Sequence, residues 1–305
     1  MIKNRNFVAS KPMKKKAFVK ILLFTLTLFS FGCFLPIFST SQNQVAAQTS
    51  AVSQGTWGGA TWTLNNGNLT LSGGNIGSSQ VSLNANLTSA GIDPSTITSI
   101  TIANSMSSSN TAEAFANFSN LQTITGMKNL SYSGDASYMF LFDSKLSSLD
   151  LTAFDTSNIT NMYGMFDGDS GLTSLDVSHF NTSKVTGMSY MFIGMSAVKV
   201  LDVSNFNTSN VKSMYAMFDE DSGLTSLDVS HFDTSKVTDM TYLFWGDSSL
   251  RTLDLSSFSI TTNTYTSGML TLTNNLSQLT LGTKSQLKSD MGLPSITISS
   301  DYTGR

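Results

Sequence analysis

The sequence predicts an α/β solenoid of about eight coils, with a parallel sheet on one face, short helices or turns on the other, and a β-hairpin cap at the N-terminal end. The stretch from Gly171 to Phe192 returns 52 residues later, from Gly223 to Phe244. An LD(L/V) triplet divides that interval, because it recurs every 26 residues. The period is therefore 26, which is typical of units that bury their apolar faces only by stacking on their neighbours. The triplets begin at Leu149, Leu175, Leu201, Leu227 and Leu253.

Residues 1–47 have the pattern of an export signal. A basic lead precedes an apolar run from Ile21 to Phe38, and the small residues Ala46 and Ala47 offer a cleavage point. An uncleaved membrane anchor is the alternative, since the run is long for a signal core. No second hydrophobic span follows Phe38, so we expect a secreted or cell-surface protein without a membrane span after cleavage.

The charge balance after the signal excludes some partners. Seven of the 17 Lys and Arg lie in residues 1–47, so 10 remain against all 20 Asp and Glu, a net charge of about −10. Nucleic acid would require a basic face and is not expected as a partner. Cys33 is the only cysteine and lies in the signal, so no disulfide framework is predicted for the mature chain.

Residues 48–96 are predicted to form an N-terminal cap. Apolar residues alternate on either side of Asn66-Gly67, and Asn-Gly suits the positive φ angles of a type I′ turn. A hairpin carrying Trp57 and Trp62 could cover the apolar cross-section that the first coil would otherwise expose to solvent. A carbohydrate-binding platform built on the two Trp rings is the functional alternative.

Residues 97–281 are predicted to form the solenoid, with regular repeats over 146–249. In each strand, alternation directs Leu149 and Leu151, or their equivalents, inward and Asp150 outward. The second half of the coil has apolar residues at Ile159, Met162, Met165 and Phe166, a spacing that fits two turns of helix. Tight turns without a helix are the alternative, because so short a helix is marginal. The LxxLxL pattern that marks the coils starts at Ile97, Leu121, Leu146, Leu172, Val198, Leu224, Leu250 and Leu276.

A column of phenylalanines is predicted between the two halves of the coil, as an aromatic spine. Residues 282–305 are predicted to be a C-terminal cap or tail, after a strand at Leu279 to Gly282 and including another at Pro294 to Ser299. The column consists of Phe154, Phe180, Phe206, Phe232 and Phe258.

The unit LTSLDVSHFNTSKVTGMSYMF resembles the repeat of BspA-like leucine-rich-repeat surface proteins of bacteria, specifically over 146–249 and more loosely over 97–281. The resemblance implies a leucine-rich-repeat-like fold and a secreted or wall-attached protein that binds host matrix, mucosal components or other cells. Two features depart from that family. Its repeat often has Cys in MFxGCS where this chain has Asp169, Met195, Asp221 and Asp247, and its mucin-binding modules and wall-sorting motif are not found in this sequence.

The outward strand positions predict an acidic binding strip flanked by hydroxyls. Carboxylates about 4.8 Å apart repel one another, so some should be partly protonated, neutralised by basic neighbours or bridged by a cation or ligand. A solvated surface with local hydrogen bonds to Ser and Thr is an equally weighted alternative. The candidate binding residues are Asp150, Asp176, Asp202, Asp228, Asp254, Ser178, Ser204 and Ser230.

No catalytic residue, metal site or cofactor is predicted. The DGDSG and DEDSG segments lack a third oxygen ligand where Gly171 and Gly223 lie, so polar turns are favoured over calcium loops. His179 and His231 occupy equivalent places two coils apart, too far from each other for a shared metal, and are read as duplicated surface residues.

We therefore expect a non-enzymatic adhesion or interaction protein that binds an extracellular protein, a mucin or other glycoprotein, or another cell surface. A structural spacer or coat repeat without a specific ligand is the alternative. A cell-wall glycan-acting enzyme is less favoured, because it would need a carboxylate pair in a cleft.

Overall fold

A computed structural model describes residues 53–77, 81–109 and 112–293. This part of the chain is a parallel β-solenoid of about seven turns with very little helix. The predicted signal at 1–47 and the predicted strand at 294–299 lie outside the described residues. Within the described ranges, no helix is long and apolar enough to cross a membrane.

The regular elements are concentrated in the first half of the described chain and thin out toward its middle. The helical elements are α1 (Leu83–Ser89) and two short 3-10 helices (Pro94–Thr96 and Met127–Asn129). The strands are β1 (Ser53–Trp57), β2 (Ala60–Asn65), β3 (Asn68–Ser72), β4 (Ser99–Ile102), β5 (Met106–Ser109), β6 (Thr123–Thr125), β7 (Leu130–Asp135), β8 (Ser148–Leu149), β9 (Ile159–Asn161), β10 (Thr252–Leu255) and β11 (Gln278–Leu281).

The predicted hairpin is confirmed. Strands β2 and β3 pair antiparallel, and Asn66 and Gly67 between them have φ angles of 48° and 79°, as a type I′ turn requires. Strand β3 then pairs in parallel with β4, which joins the hairpin to the first sheet. Trp57 and Trp62 are 1% and 3% exposed, so neither ring is available to a ligand and the carbohydrate platform considered for them is wrong.

The first sheet has the order β1-β2-β3-β4-β6-β8, and its parallel strands place Ile100, Ile124 and Leu149 side by side in the core. Beyond β8 it is reduced to a bridge between Val200 and Ser226, and it returns as β10 paired with β11. β11 confirms the strand expected near Leu279. A second sheet, β5-β7-β9, continues as single bridges from coil to coil up to residue 265.

The predicted two-turn helices are absent from the described coils, which have tight turns at these places. In the coil that contains Met162 and Met165, the N–H of Phe166 donates to the carbonyl of Met191 in the next coil at 2.9 Å, not to a carbonyl four residues back. Gly164 and Gly168 have φ angles of 58° and 78°, and a residue in the left-handed region cannot continue an α-helix. The inward apolar positions were correctly read, but they serve turns that bond to the neighbouring coil.

The five phenylalanines of the predicted column are all buried, and two pairs of them stack, Phe180 on Phe206 and Phe232 on Phe258. The rings of Phe180 and Phe206 are parallel within 2°, with centroids 6.4 Å apart. A second buried column runs beside it, in which Phe192 and Phe218 stack at 5.6 Å. Burial of aromatic rings in register supplies much of the stability that this cysteine-free region requires. The second column consists of Phe115, Phe140, Phe166, Phe192, Phe218 and Phe244.

Candidate functional site

The five aspartates of the predicted strip are all exposed. Each lies in or directly after the part of its coil that corresponds to the strands of the first sheet. The apolar residues on either side of each aspartate point inward, and in the coil of Asp176 these are Leu175 and Val177. Their burial fixes the outward direction of the aspartate between them. The predicted column of outward carboxylates is therefore present from residue 150 to residue 254.

Each of these carboxylates closes a local turn. Oδ1 of Asp176 accepts the backbone N–H of Ser178 at 3.0 Å and the hydroxyl of the same residue at 2.7 Å. The same arrangement joins Asp228 to Ser230, and Asp150 to Thr152. This Asx turn takes the chain out of extended geometry after each aspartate.

The turns also favour the ionised form of four of the five carboxyls. The hydroxyl two residues ahead is the main cause that lowers the pKa of the carboxyl, and the backbone N–H of that residue is the second. Of the three outcomes expected for the strip, partial protonation is not favoured for these carboxyls, because the hydrogen bonds outweigh mutual repulsion. The pKa is lowered in this way for Asp150, Asp176, Asp202 and Asp228.

The two histidines belong to this strip. Both are exposed, and the charge of His179 makes a smaller contribution to the lowered pKa of Asp176, while His231 does the same for Asp228. The ring of His231 stands edge-on to Phe232 at 5.1 Å, and its Nε2 lies 3.0 Å from the carbonyl of Val203. Among the described residues, no group of three or more His, Cys, Asp and Glu side chains has the geometry to hold a metal ion.

A cavity of about 380 Å³ opens at the C-terminal part of the strip. Asp228 and Asp254 line it together with Thr252, Gln278 and Thr280. Its walls offer carboxylates, hydroxyls and an amide, so it is suited to donors such as ammonium, guanidinium or hydroxyl groups.

Two stretches of the chain, residues 109–199 and 193–289, match the family described as "Mycoplasma protein of unknown function, DUF285". Together they cover more than half of the 305 residues. The chain belongs to the DUF285 family. All five aspartates of the strip lie within the DUF285 matches. No curated protein and no solved structure matches the chain.

This DUF285 chain also has a column of buried aspartates, which the sequence reading missed. Oδ1 of Asp143 accepts the backbone N–H of Phe118 in the preceding coil at 2.7 Å, and Oδ1 of Asp169 accepts that of Asp143 at 2.9 Å. Each Oδ2 is buried with no hydrogen-bond partner among the described residues. Burial is the main cause that raises the pKa of these groups well above the ordinary value. The column consists of Asp143, Asp169, Asp221 and Asp247.

The segments DGDSG and DEDSG are thus more than polar turns, because Asp169 of the first segment and both Asp219 and Asp221 of the second are buried. A signal for this was present in the repeat. Met195 occupies the equivalent place in the intervening coil, and an apolar residue at a repeat position indicates that the position faces inward.

A third column in the DUF285 repeats consists of half-buried tyrosines, which the sequence reading also missed. The rings of Tyr138 and Tyr163 lie 5.1 Å apart, those of Tyr163 and Tyr190 5.2 Å, those of Tyr190 and Tyr215 5.0 Å, and those of Tyr215 and Tyr242 5.8 Å. The 52-residue spacing of alternate members was the available signal. Burial and then the hydrogen bond to the neighbouring tyrosine raise the pKa of Tyr138 and Tyr190.

Proposed function

We propose that the chain is an exported, non-enzymatic adhesion or interaction protein, of the BspA-like leucine-rich-repeat kind, that binds an extracellular partner through its repeat surface. The observation that supports this most is the column of five exposed carboxylates, each held by its own Asx turn on a buried stack. Groups fixed before binding lose little conformational entropy when a partner docks.

The chemistry of the strip favours a partner with cationic or hydroxyl groups. Carboxylates with a lowered pKa remain charged through the neutral range, and the chain after its signal carries about −10. A negative field of this kind accelerates association with basic patches and repels nucleic acid. Basic segments of matrix proteins, glycoproteins and other cell surfaces have this chemistry.

Export is supported by the signal-like pattern of residues 1–47. The resemblance of the repeat to BspA-like surface proteins supports the same location. In the proposal the mature chain, residues 48–305, is secreted or held at the cell surface, and its partner is a protein, a mucin or other glycoprotein, or another cell.

The test is binding of the mature chain to fibronectin, collagen, mucin and bacterial cells. The variant combines Asp176→Asn, Asp202→Asn and Asp228→Asn, because Asn retains the oxygen that closes the turn and removes the charge. A matched control combines Asp155→Asn and Asp233→Asn, which close the same kind of turn with Ser157 and Ser235 outside the strip. We expect the triple variant to lose binding and the control to retain it.

Unchanged affinity in the triple variant would reject the strip as the binding surface. Failure of the unmodified chain on every surface would instead favour the alternative, a spacer or coat component. A cell-wall glycan-acting enzyme is less well supported, because a general acid needs a raised pKa and that of Asp228 in the cavity is lowered. Release of reducing ends from peptidoglycan would overturn the non-enzymatic proposal.

A further inference from the structure

The repeat position of Trp245 holds a different residue in each neighbouring coil. At the same repeat position, the two preceding coils have Asp219 and Ile193, and the following coil has Thr271. The other tryptophans of the described chain, Trp57 and Trp62, are buried, whereas Trp245 is partly exposed.

A cavity of about 460 Å³ lies beside this ring. Two glycines, Gly194 and Gly246, open it on either side of Glu220, because all three occupy one repeat position in successive coils. A backbone hydrogen bond joins two residues that line the cavity, since the N–H of Glu220 donates to the carbonyl of Trp245 at 2.7 Å. A Cβ at Gly246 would be in van der Waals contact with Glu220, because it would lie 3.4 Å from the Cα of that residue.

The walls of the cavity are of two kinds. Trp245 and Leu272, which is 47% exposed, form apolar surface. Glu220, Ser222 and Asn274 supply a carboxylate, a hydroxyl and an amide. A few polar groups converging beside an aromatic ring, in a volume of this size, are typical of small-molecule sites.

We propose that this cavity binds one pyranose unit of a neutral glycan. A pyranose has apolar C–H groups on its ring faces and hydroxyls at its edges, which complement the aromatic ring and the polar groups respectively. The carboxylate of Glu220 can accept hydrogen bonds from sugar hydroxyls but repels acidic sugars. The net negative charge of the chain also repels acidic sugars. The site names a glycan as partner and so rests on the proposed adhesive function, but it lies outside the aspartate strip.

Tryptophan fluorescence tests the site directly, because the emission of Trp245 is the one among the described tryptophans that a surface ligand can reach. The mature chain is titrated with chitohexaose, N-acetyllactosamine and mannopentaose, with sialyllactose as the acidic probe. We expect at least one neutral saccharide to shift the emission and sialyllactose to leave it unchanged.

The variants separate the site from general effects on folding. Binding of the same saccharide is measured calorimetrically, and Trp245→Ala should weaken it at least about tenfold, as for a typical aromatic anchor. Gly246→Asn should do the same by filling the cavity, since Asn tolerates the φ of 79° found there. Trp245→Phe keeps a ring and should retain part of the affinity. Ile193→Ala, at the same repeat position, is the matched control and should bind normally.

No response to any of the three neutral saccharides, or unchanged binding by Trp245→Ala, would overturn the site. Absence of saccharide binding by the unmodified chain, with adhesion to matrix proteins present, would reject this cavity and leave the proposed function intact. Saccharide binding by the unmodified chain, together with its failure on every matrix protein, would reject the strip and leave the cavity.

Discussion

The backbone N–H of Asp221 donates to Oδ1 of Asp247 at 3.0 Å, one coil further along the solenoid, while Oδ2 of Asp247 is buried without a hydrogen-bond partner among the described residues. The same N–H also reaches the carbonyl of Phe218 at 3.3 Å, so the carboxyl oxygen supplements a long turn bond. A neutral carboxylic acid suits this position, because an ionised one would be desolvated.

The first prediction is that stability falls as the pH rises from about 4. Burial raises the pKa of Asp169 and Asp247 well above the unfolded value of 3.8, so the folded state binds more protons. Their contribution is fully present below that value and is lost as the pH rises toward the folded pKa. Asp167, whose pKa burial raises to about 6, adds a part that is lost between these two values. Urea unfolding at steps from pH 4 to pH 8 measures the slope.

The exposed strip acts in the opposite direction. The pKa of Asp176 and Asp228 is lowered by hydrogen bonds from Ser178 and Ser230, so the stability they contribute is present above 3.8 and lost as the pH falls through the lowered values. Maximum stability is therefore expected near pH 4 to 5. A free energy of unfolding that rises steadily from pH 4 to pH 7 would contradict the buried column.

The second prediction concerns Asp169→Asn. The amide oxygen can still accept the N–H of Asp143, and the group cannot ionise, so the variant should be more stable than the parent at pH 8 by about 1 to 3 kcal/mol. Its dependence on pH should be flatter. Asp155→Asn, an exposed position whose pKa is lowered by Ser157, is the control and should leave the dependence on pH between pH 4 and pH 8 unchanged. Equal slopes for Asp169→Asn and the parent would show that this carboxyl is not buried.

The third prediction is that Phe206→Ala costs about 3 to 5 kcal/mol of unfolding free energy. Phe206 is 3% exposed and stacks on Phe180, and the tilted ring of Phe192 lies 6.2 Å from it. Phe142→Ala is the control, because that ring is 55% exposed and its loss should change the stability by about 0.5 kcal/mol or less. Chemical denaturation of both variants makes the comparison, and similar costs would refute the spine.

The sequence was sufficient for those features that depend on the repeat itself. The 26-residue period, the inward direction of Phe206 and the turn at Asn66-Gly67 all follow from local pattern and backbone preference. The helix at Met162 to Phe166 was wrong, because the same apolar spacing serves a turn whose N–H groups bond to the next coil. Hydrogen bonds between coils have no signature in a single repeat.

The sequence predicted the exposure of the candidate site residues, but not the turn geometry that holds them. The exposure of Asp176 follows from strand alternation, and local hydrogen bonds from Ser and Thr were one of the two alternatives, but the Asp-x-Ser spacing was not recognised as a turn that closes on Ser178. The burial of Asp169 conflicts with the ordinary preference of a carboxylate for water, and only the comparison with Met195 could have revealed it. Trp245 could be recognised as a site only once its cavity was seen.

The fourth prediction tests the tyrosine column through Gly164. This residue has a φ of 58°, and a Cβ placed on it would lie 2.5 Å from the ring of Tyr138. Gly164→Ala should therefore lower the free energy of unfolding by more than the roughly 1 to 2 kcal/mol expected of the left-handed backbone alone. In the Tyr138→Ala background the clash is gone, so the cost of Gly164→Ala should fall to about that backbone value. Ala216, at the equivalent position with a φ of 51°, shows that the repeat accepts a methyl group there. Thermal and urea unfolding of the double-mutant cycle give the coupling energy, and a coupling of zero would mean that the ring does not lie over Gly164.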